Sequence, residues 1–359
     1  MSKVYLHVGV HKTATTFLQK HVFNCFNKKE ILYNPKKLSL LHNKYFKLPE
    51  YRDNTMQEFK QELEFLQKNN IDILISYEIM AGNLFSCYDN YEEQAQMLQI
   101  LFKGYDVEII LVLRYQVDWL ISTYRESVHE HHYQSIEAFL NIEDGSFLEP
   151  IDDSTYVNCN ALSLDFFNII NNYQKIFGKD NTHVLYFEEF KKDKKQFIGK
   201  FENILGKKLD IKEYKSEIIN RGYSASGIAI CLKVVGILKR LKLTFLIPKP
   251  IFFFGKKSIY VKDDYNIYST NLKSFLKENN PLKLPFWFLY KVIYKLFGRG
   301  KMFRYVIKKV IDKIQYSNSD LLAPEYVSKL NTYYHQENIK IESELLKSKL
   351  PENYTKDKK

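Results

Sequence analysis

Short apolar runs alternate with amphipathic stretches through the first 200 residues. "KVYLHV" (3–8), "IDILISYE" (71–78), "VEIILVLRY" (107–115) and "HVLYFEEF" (183–190) have strand length and strand composition. After the first run, apolar residues recur at helical spacing at Phe17, Leu18, Val22 and Phe26. Further helices are expected near 56–69, 91–103, 116–131 and 161–177. Strands that alternate with helices predict an α/β fold with a parallel sheet flanked by helices. In such sheets ligands bind at the carboxyl ends of the strands. That rule selects Gly9–Thr16, Glu78, Arg114 and Glu188 before any chemistry is considered.

Past residue 206 the pattern changes. Helices are expected near 225–241, 286–297, 301–315 and 324–347. "FLIPKPIFFFGKK" between them reads as an irregular, aromatic-rich connector. The expected organisation is an α/β core over 1–235, a basic, aromatic helical insertion over 236–320, and a C-terminal helix with a polar tail over 321–359.

Composition adds two constraints. With 359 residues, 45% of them hydrophobic, the chain can build one large or two modest domains. The net charge of +11 is unevenly placed: residues 231–315 hold 19 Lys and Arg against 4 Asp and Glu, and the remainder is slightly acidic. Basic and aromatic residues at helical spacing suit an anionic membrane surface or an acidic glycan. They also suit a small helical core beneath a basic exterior. Nucleic acid is not expected, because no recognition motif accompanies the charge. The four cysteines lie far apart without a CxxC pair, so neither a disulfide framework nor a zinc site is expected. The first strand begins at residue 3 and no apolar run reaches about 18 residues, so neither a leader nor a spanning helix is expected. A cytoplasmic chain, at most peripheral at the inner face of the membrane, follows as the expectation.

"HVGVHKTATTFLQ" carries the first chemistry. A strand that enters a small-residue loop and then a helix presents backbone N–H groups and the positive end of a helix dipole to an anion. Lys12 adds a point charge, and Thr13, Thr15 and Thr16 add hydroxyls. The nucleotide loop GxxxxGK[ST] differs: His11 precedes Lys12, the glycine spacing is wrong, and the strand at 107–113 ends in Arg114 rather than an acidic magnesium ligand. A small-molecule kinase using ATP and magnesium is therefore the disfavoured alternative.

The loop resembles the 5′-phosphosulfate-binding loop of sulfotransferases, above all the bacterial carbohydrate-type members. Lys12-Thr13-Ala14-Thr15-Thr16 fits, with Ala14 where that loop usually has Gly. The substitution is mild if φ is negative there and strained if φ is positive. "LVLRYQVDWLISTYRESV" (111–128) resembles the second half of the same signature. Arg114 at the strand end and Ser122 eight positions on match the pair that clamps the 3′-phosphate of the donor, 3′-phosphoadenosine 5′-phosphosulfate (PAPS). Arg grips phosphate bidentately. "NRGYSASGIAICLKVV" (220–235) is a weaker match, in which Arg221 and Gly222 would close over the donor. The resemblance is good over 3–30 and 105–130 and absent over most of 236–320.

It implies in-line transfer of a sulfuryl group from PAPS to a hydroxyl or amine of a carbohydrate or glycolipid acceptor, such as a cell-surface glycan or its precursor. No metal is implied. Gly9, Lys12, Thr13, Ala14, Thr15, Thr16, Arg114, Ser122, Arg221 and Gly222 would hold the donor. Lys12 would serve the leaving oxygen. The base would be Glu78, with His11 as second choice; the sequence leaves both open. His129, His131 and His132 in "HEHH" match no standard zinc spacing and are expected to be solvated at a helix end. A non-catalytic glycan- or membrane-binding relative is the remaining alternative.

Overall fold

The computed structural model of the chain describes residues 2–26, 28–47, 52–68, 70–149, 159–209, 222–247, 321–346 and 349–355, with a few positions between 284 and 292. The connector after Ile247, the expected helix at 301–315, nearly all of that at 286–297, and Arg221 lie outside the described residues. So does most of the basic segment. The chain divides into two compact units: 1–120 with 160–220 and 325–359, and 121–159 with 221–324.

The first unit is built around β1 (Val4–Gly9), β2 (Ile31–Tyr33), β3 (Asp72–Ser76), β4 (Val107–Leu113) and a last strand at Thr182–Tyr186. All pair in parallel, in the order β2-β3-β1-β4 and then Thr182–Tyr186. Every residue of β1 and β4 is buried. Side chains alternate between the two faces of a strand, so both faces of this sheet are covered by other elements. Glu108, the one charge in β4, is satisfied at the sheet's far end by Lys3 Nζ at 2.5 Å and His183 Nε2 at 2.6 Å.

Among the described residues the α-helices of this unit are α1 (Thr15–Phe17), α2 (Lys36–Lys47), α3 (Arg52–Gln67), α4 (Tyr91–Leu101), the start of α5 (Gln116–His129), and five more at Phe166–Phe177, Phe187–Lys192, Lys194–Leu205, Pro324–Lys340 and Glu352–Thr355. α1 is one turn that widens through a π-helical stretch, Leu18–Val22, and a 3-10 turn, Phe23–Cys25. Phe17, Leu18, Val22 and Phe23 lock it onto Leu74, Ile110 and Val112 of the sheet and onto Phe197 and Phe201 of Lys194–Leu205. Burying each such side chain contributes about 1.5–3 kcal/mol. The loop ahead of α1 is thereby anchored from below.

The expected strands are all present, the first displaced by one residue and the other three shorter. The run at 183–190 stops at Tyr186, where Phe187–Lys192 turns helical. β2 and α2 were not expected; three strand residues are too few to stand out as a pattern.

The second unit holds the rest of α5, a short helix α6 (Ile136–Phe139), the hairpin β5 (Ile142–Glu143) with β6 (Ser146–Phe147), and a helix at Ala225–Arg240. Ser224 caps that last helix by accepting from the Gly227 amide at 2.9 Å. Cys87 and Cys159 are each disulfide-bonded, whereas Cys25 and Cys231 are thiols outside any disulfide. This corrects the expectation drawn from the cysteine spacing, which foresaw no disulfide framework. Among the described residues no helix is long and apolar enough to cross a membrane.

Candidate active site

β1 leads to β2 on one side of itself, and β3 leads back across to β4 on the other. With right-handed connections, the chains leaving β1 and β4 depart on opposite faces. A crevice opens between the carboxyl ends of these two strands. It holds the Gly9–Thr16 loop and Arg114.

The loop's carbonyls are tied down one after another. Thr13 Oγ1 donates to Val10 O at 2.6 Å, Trp119 Nε1 to His11 O at 3.1 Å, and Arg114 Nη1 to Lys12 O at 3.1 Å. The His11 amide donates to the Tyr88 hydroxyl at 2.8 Å, and His11 Nδ1 lies 3.2 Å from the same oxygen. Burial raises the Tyr88 phenol well above its ordinary range, so it stays neutral. Among the described residues the amides of Thr13, Ala14 and Thr15 donate to no protein acceptor. Lys12 at φ 67° and Ala14 at φ 64° are left-handed, and Thr13 between them is not. Such alternation bends successive N–H groups into an anion-binding concavity.

This geometry divides the predicted donor set. Thr13 and Thr15 are buried; the Thr13 hydroxyl donates to the Val10 carbonyl and lies 3.4 Å from the Thr15 hydroxyl. Thr16 and Lys12 are half-buried at the loop surface. Ala14 occupies the left-handed position that favours Gly, so the strained alternative holds. Gly9 has φ +102°, and a Cβ there would lie 3.4 Å from Glu78 Cα. Glu78, at the end of β3, therefore stands beside the first residue of the loop, as does His11.

Arg114 follows the last residue of β4. Its guanidinium reaches the Lys12 carbonyl and covers the Phe187 ring at 4.9 Å. Glu188 is not a ligand. Its Oε1 accepts from the Tyr115 amide at 3.1 Å and its Oε2 from the Tyr354 hydroxyl at 3.0 Å, and burial raises its pKa. It belongs to a brace behind Arg114 that sequence reasoning missed. Tyr115 donates its hydroxyl to Asn331 Oδ1, Gln116 Nε2 donates to Asn338 Oδ1 at 2.6 Å, and Glu337 Oε1 accepts from the Phe167 amide at 3.0 Å. Tyr88 and Trp119 were missed as well; both sit in stretches that look like ordinary apolar helix or loop.

Ser122, half-buried on α5, and Gly222 belong to the second unit. A Cβ on Gly222 would meet Arg125 Cβ at 3.3 Å. The three histidines of "HEHH" are not solvated as expected. His131 and His132 are buried, and His129 is partly covered.

No family model matches the chain, and neither does any curated protein. Among solved structures the fold is similar to a sulfotransferase from Alicyclobacillus acidocaldarius, with 20% identity, 67% of this chain and 96% of that one covered, and a TM-score of 0.40. It is also similar to a mouse sulfotransferase complexed with PAP, with 13% identity, 86% and 89% covered, and a TM-score of 0.31.

Proposed function

We propose that the chain is a sulfotransferase that carries a sulfuryl group from PAPS to a hydroxyl of a carbohydrate acceptor. The observation that carries this reading is the loop's polarity. Its carbonyls are capped by Thr13, Trp119 and Arg114 while its amides at 13–15 donate to no acceptor among the described residues, beside a lysine and an arginine. That is a donor set for an anion of high charge. In PAPS the activated sulfuryl group supplies the chemistry. The amides of Thr13, Ala14 and Thr15 hold the 5′-phosphosulfate, and Arg114 takes the 3′-phosphate. Lys12 neutralises charge on the oxygen that departs with the nucleotide.

The acceptor proton goes to Glu78. His11 is the weaker choice for base because its amide, its Nδ1 and its carbonyl are all engaged by Tyr88 and Trp119. A carboxylate beside the loop can take the proton as the hydroxyl oxygen attacks sulfur. The basic segment 231–315 suits an acidic glycan acceptor or the anionic membrane on which a lipid-linked one is made.

The test is calorimetric titration with 3′,5′-ADP, the desulfated donor, without magnesium. Binding is expected in wild type, with ATP much weaker. Arg114→Ala should weaken it by about 2–5 kcal/mol, the cost of removing one partner of a hydrogen-bonded charge pair. Lys12→Ala should instead lower the turnover of PAPS by about 10²–10³-fold. A magnesium-dependent preference for ATP would overturn the reading in favour of a kinase. Donor binding with no transfer to any glycan would favour a non-catalytic relative.

A further inference from the structure

We propose that Glu126 and His129 on α5, with Glu130 just past its end, bind a divalent transition-metal ion. The imidazole Nδ1 of His129 lies 3.9 Å from Glu126 Oε2 and 3.6 Å from Glu130 Oε1. One ligand atom from each residue lies within 4.8 Å of the others. Both nitrogen–oxygen distances exceed a hydrogen bond. They match the separation of atoms that share one ion, since zinc sits about 2.0–2.2 Å from nitrogen and carboxylate ligands, which places ligands roughly 3–4 Å apart.

The local sequence explains the convergence. Positions i, i+3 and i+4 of a helix share one face, and Glu-x-x-His is the spacing by which helices present a carboxylate and an imidazole to one metal. Two carboxylates four residues apart repel each other, and a dication between them reverses that term. The imidazole is held in place. Its ring meets Tyr223 edge-on at 5.2 Å and 83°, and the Tyr223 carbonyl accepts from Arg125 Nη1 at 3.2 Å. The side chains are sheltered, 29% exposed at Glu126, 17% at His129 and 11% at Glu130. One imidazole with two carboxylates suits zinc, cobalt, nickel or manganese better than calcium or magnesium, whose sites are all oxygen. Three protein ligands leave a coordination position for water or an outside ligand. The site is proposed for binding, and no step of sulfuryl transfer is routed through it.

The test uses the full chain, stripped with EDTA and dialysed. Zinc is titrated calorimetrically, and cobalt by its visible absorption, which reports ligand geometry directly. One saturable equivalent is expected. Glu126→Gln and His129→Ala should each weaken it at least ten-fold, while His21→Ala leaves it unchanged. Glu126→Gln preserves shape, and circular dichroism checks that each variant is folded. Absence of saturable binding in wild type overturns the proposal. So does binding at full strength after Glu126 and His129 are both replaced, which would move the ion to other ligands. Neither readout depends on whether the chain transfers sulfate.

Discussion

The loop after β1 and the polar brace behind Arg114 stand at neighbouring strand ends, yet they are built in opposite ways. The loop satisfies its carbonyls and leaves the amides of 13–15 without an acceptor among the described residues. The brace turns polar groups inward and gives each a partner: Tyr115 N–H to Glu188, Tyr354 hydroxyl to Glu188, Gln116 to Asn338, Tyr115 hydroxyl to Asn331. The loop can hold a ligand because its donors are left to be used. The brace can fix Arg114 because its own are used up. Buried polar networks stabilise only when complete, so the two regions should respond differently to mutation. Lys12→Ala should spare stability. Removing a brace residue should cost stability and donor affinity together.

The largest effect on folding is expected at Glu188. Glu188→Ala leaves the Tyr115 amide and the Tyr354 hydroxyl as buried donors without an acceptor. Each costs about 1–3 kcal/mol, so about 2–6 kcal/mol is expected in urea unfolding. Because Tyr115 follows Arg114 directly, affinity for 3′,5′-ADP should fall with it. Glu188→Gln keeps an acceptor and should recover part of both. If Glu188→Ala lost stability with donor affinity intact, the brace would be a structural clamp and the contrast with the loop would narrow.

A smaller effect separates the two regions by pH. Burial pushes the Glu337 carboxyl up to about 7. Unfolded, the same group releases its proton near its ordinary value of 4.5. Between these values the folded chain holds more protons, so this group's contribution to stability falls as pH rises from about 4.5 to about 7 and is constant above. Glu337→Gln removes that titration. The difference in stability between variant and wild type should shift by about 2–3 kcal/mol toward the variant between pH 5 and pH 8, read from unfolding curves at both. An unchanged difference would place the Glu337 pKa in the ordinary range.

How much of this was legible in the sequence follows from the same contrast. The loop is local: Gly9, Lys12, Thr15 and Thr16 lie within eight residues of a strand end, and strand–loop–helix order is a short-range signal. Arg114 was legible because it ends the most apolar strand. The brace gathers 115, 116, 188, 331, 338 and 354 from three distant stretches, and no periodicity links them. Glu188 was selected for its strand-end position and proved structural, because a strand end marks where a group sits and not what it already binds. The buried histidines 131 and 132 were misread for a related reason. Polar residues at a helix end look solvated until the chain that covers them is known.

The smallest predicted effect tests the loop's own construction. Ala14 carries φ 64° and ψ 19°, the left-handed region. An L-residue with a Cβ pays about 1–2 kcal/mol there. Glycine loses that strain but adds about 0.5–1 kcal/mol of unfolded-state entropy. Ala14→Gly should therefore be neutral or stabilising by up to about 1 kcal/mol, measured by thermal unfolding. Affinity for 3′,5′-ADP should be retained, since the donor at this position is a main-chain amide and not a side chain. A clear loss of stability would mean that Ala14 adopts negative φ in solution. The alternation of backbone hand across Lys12, Thr13 and Ala14 would then fail, and with it the concavity that turns three amides toward one anion.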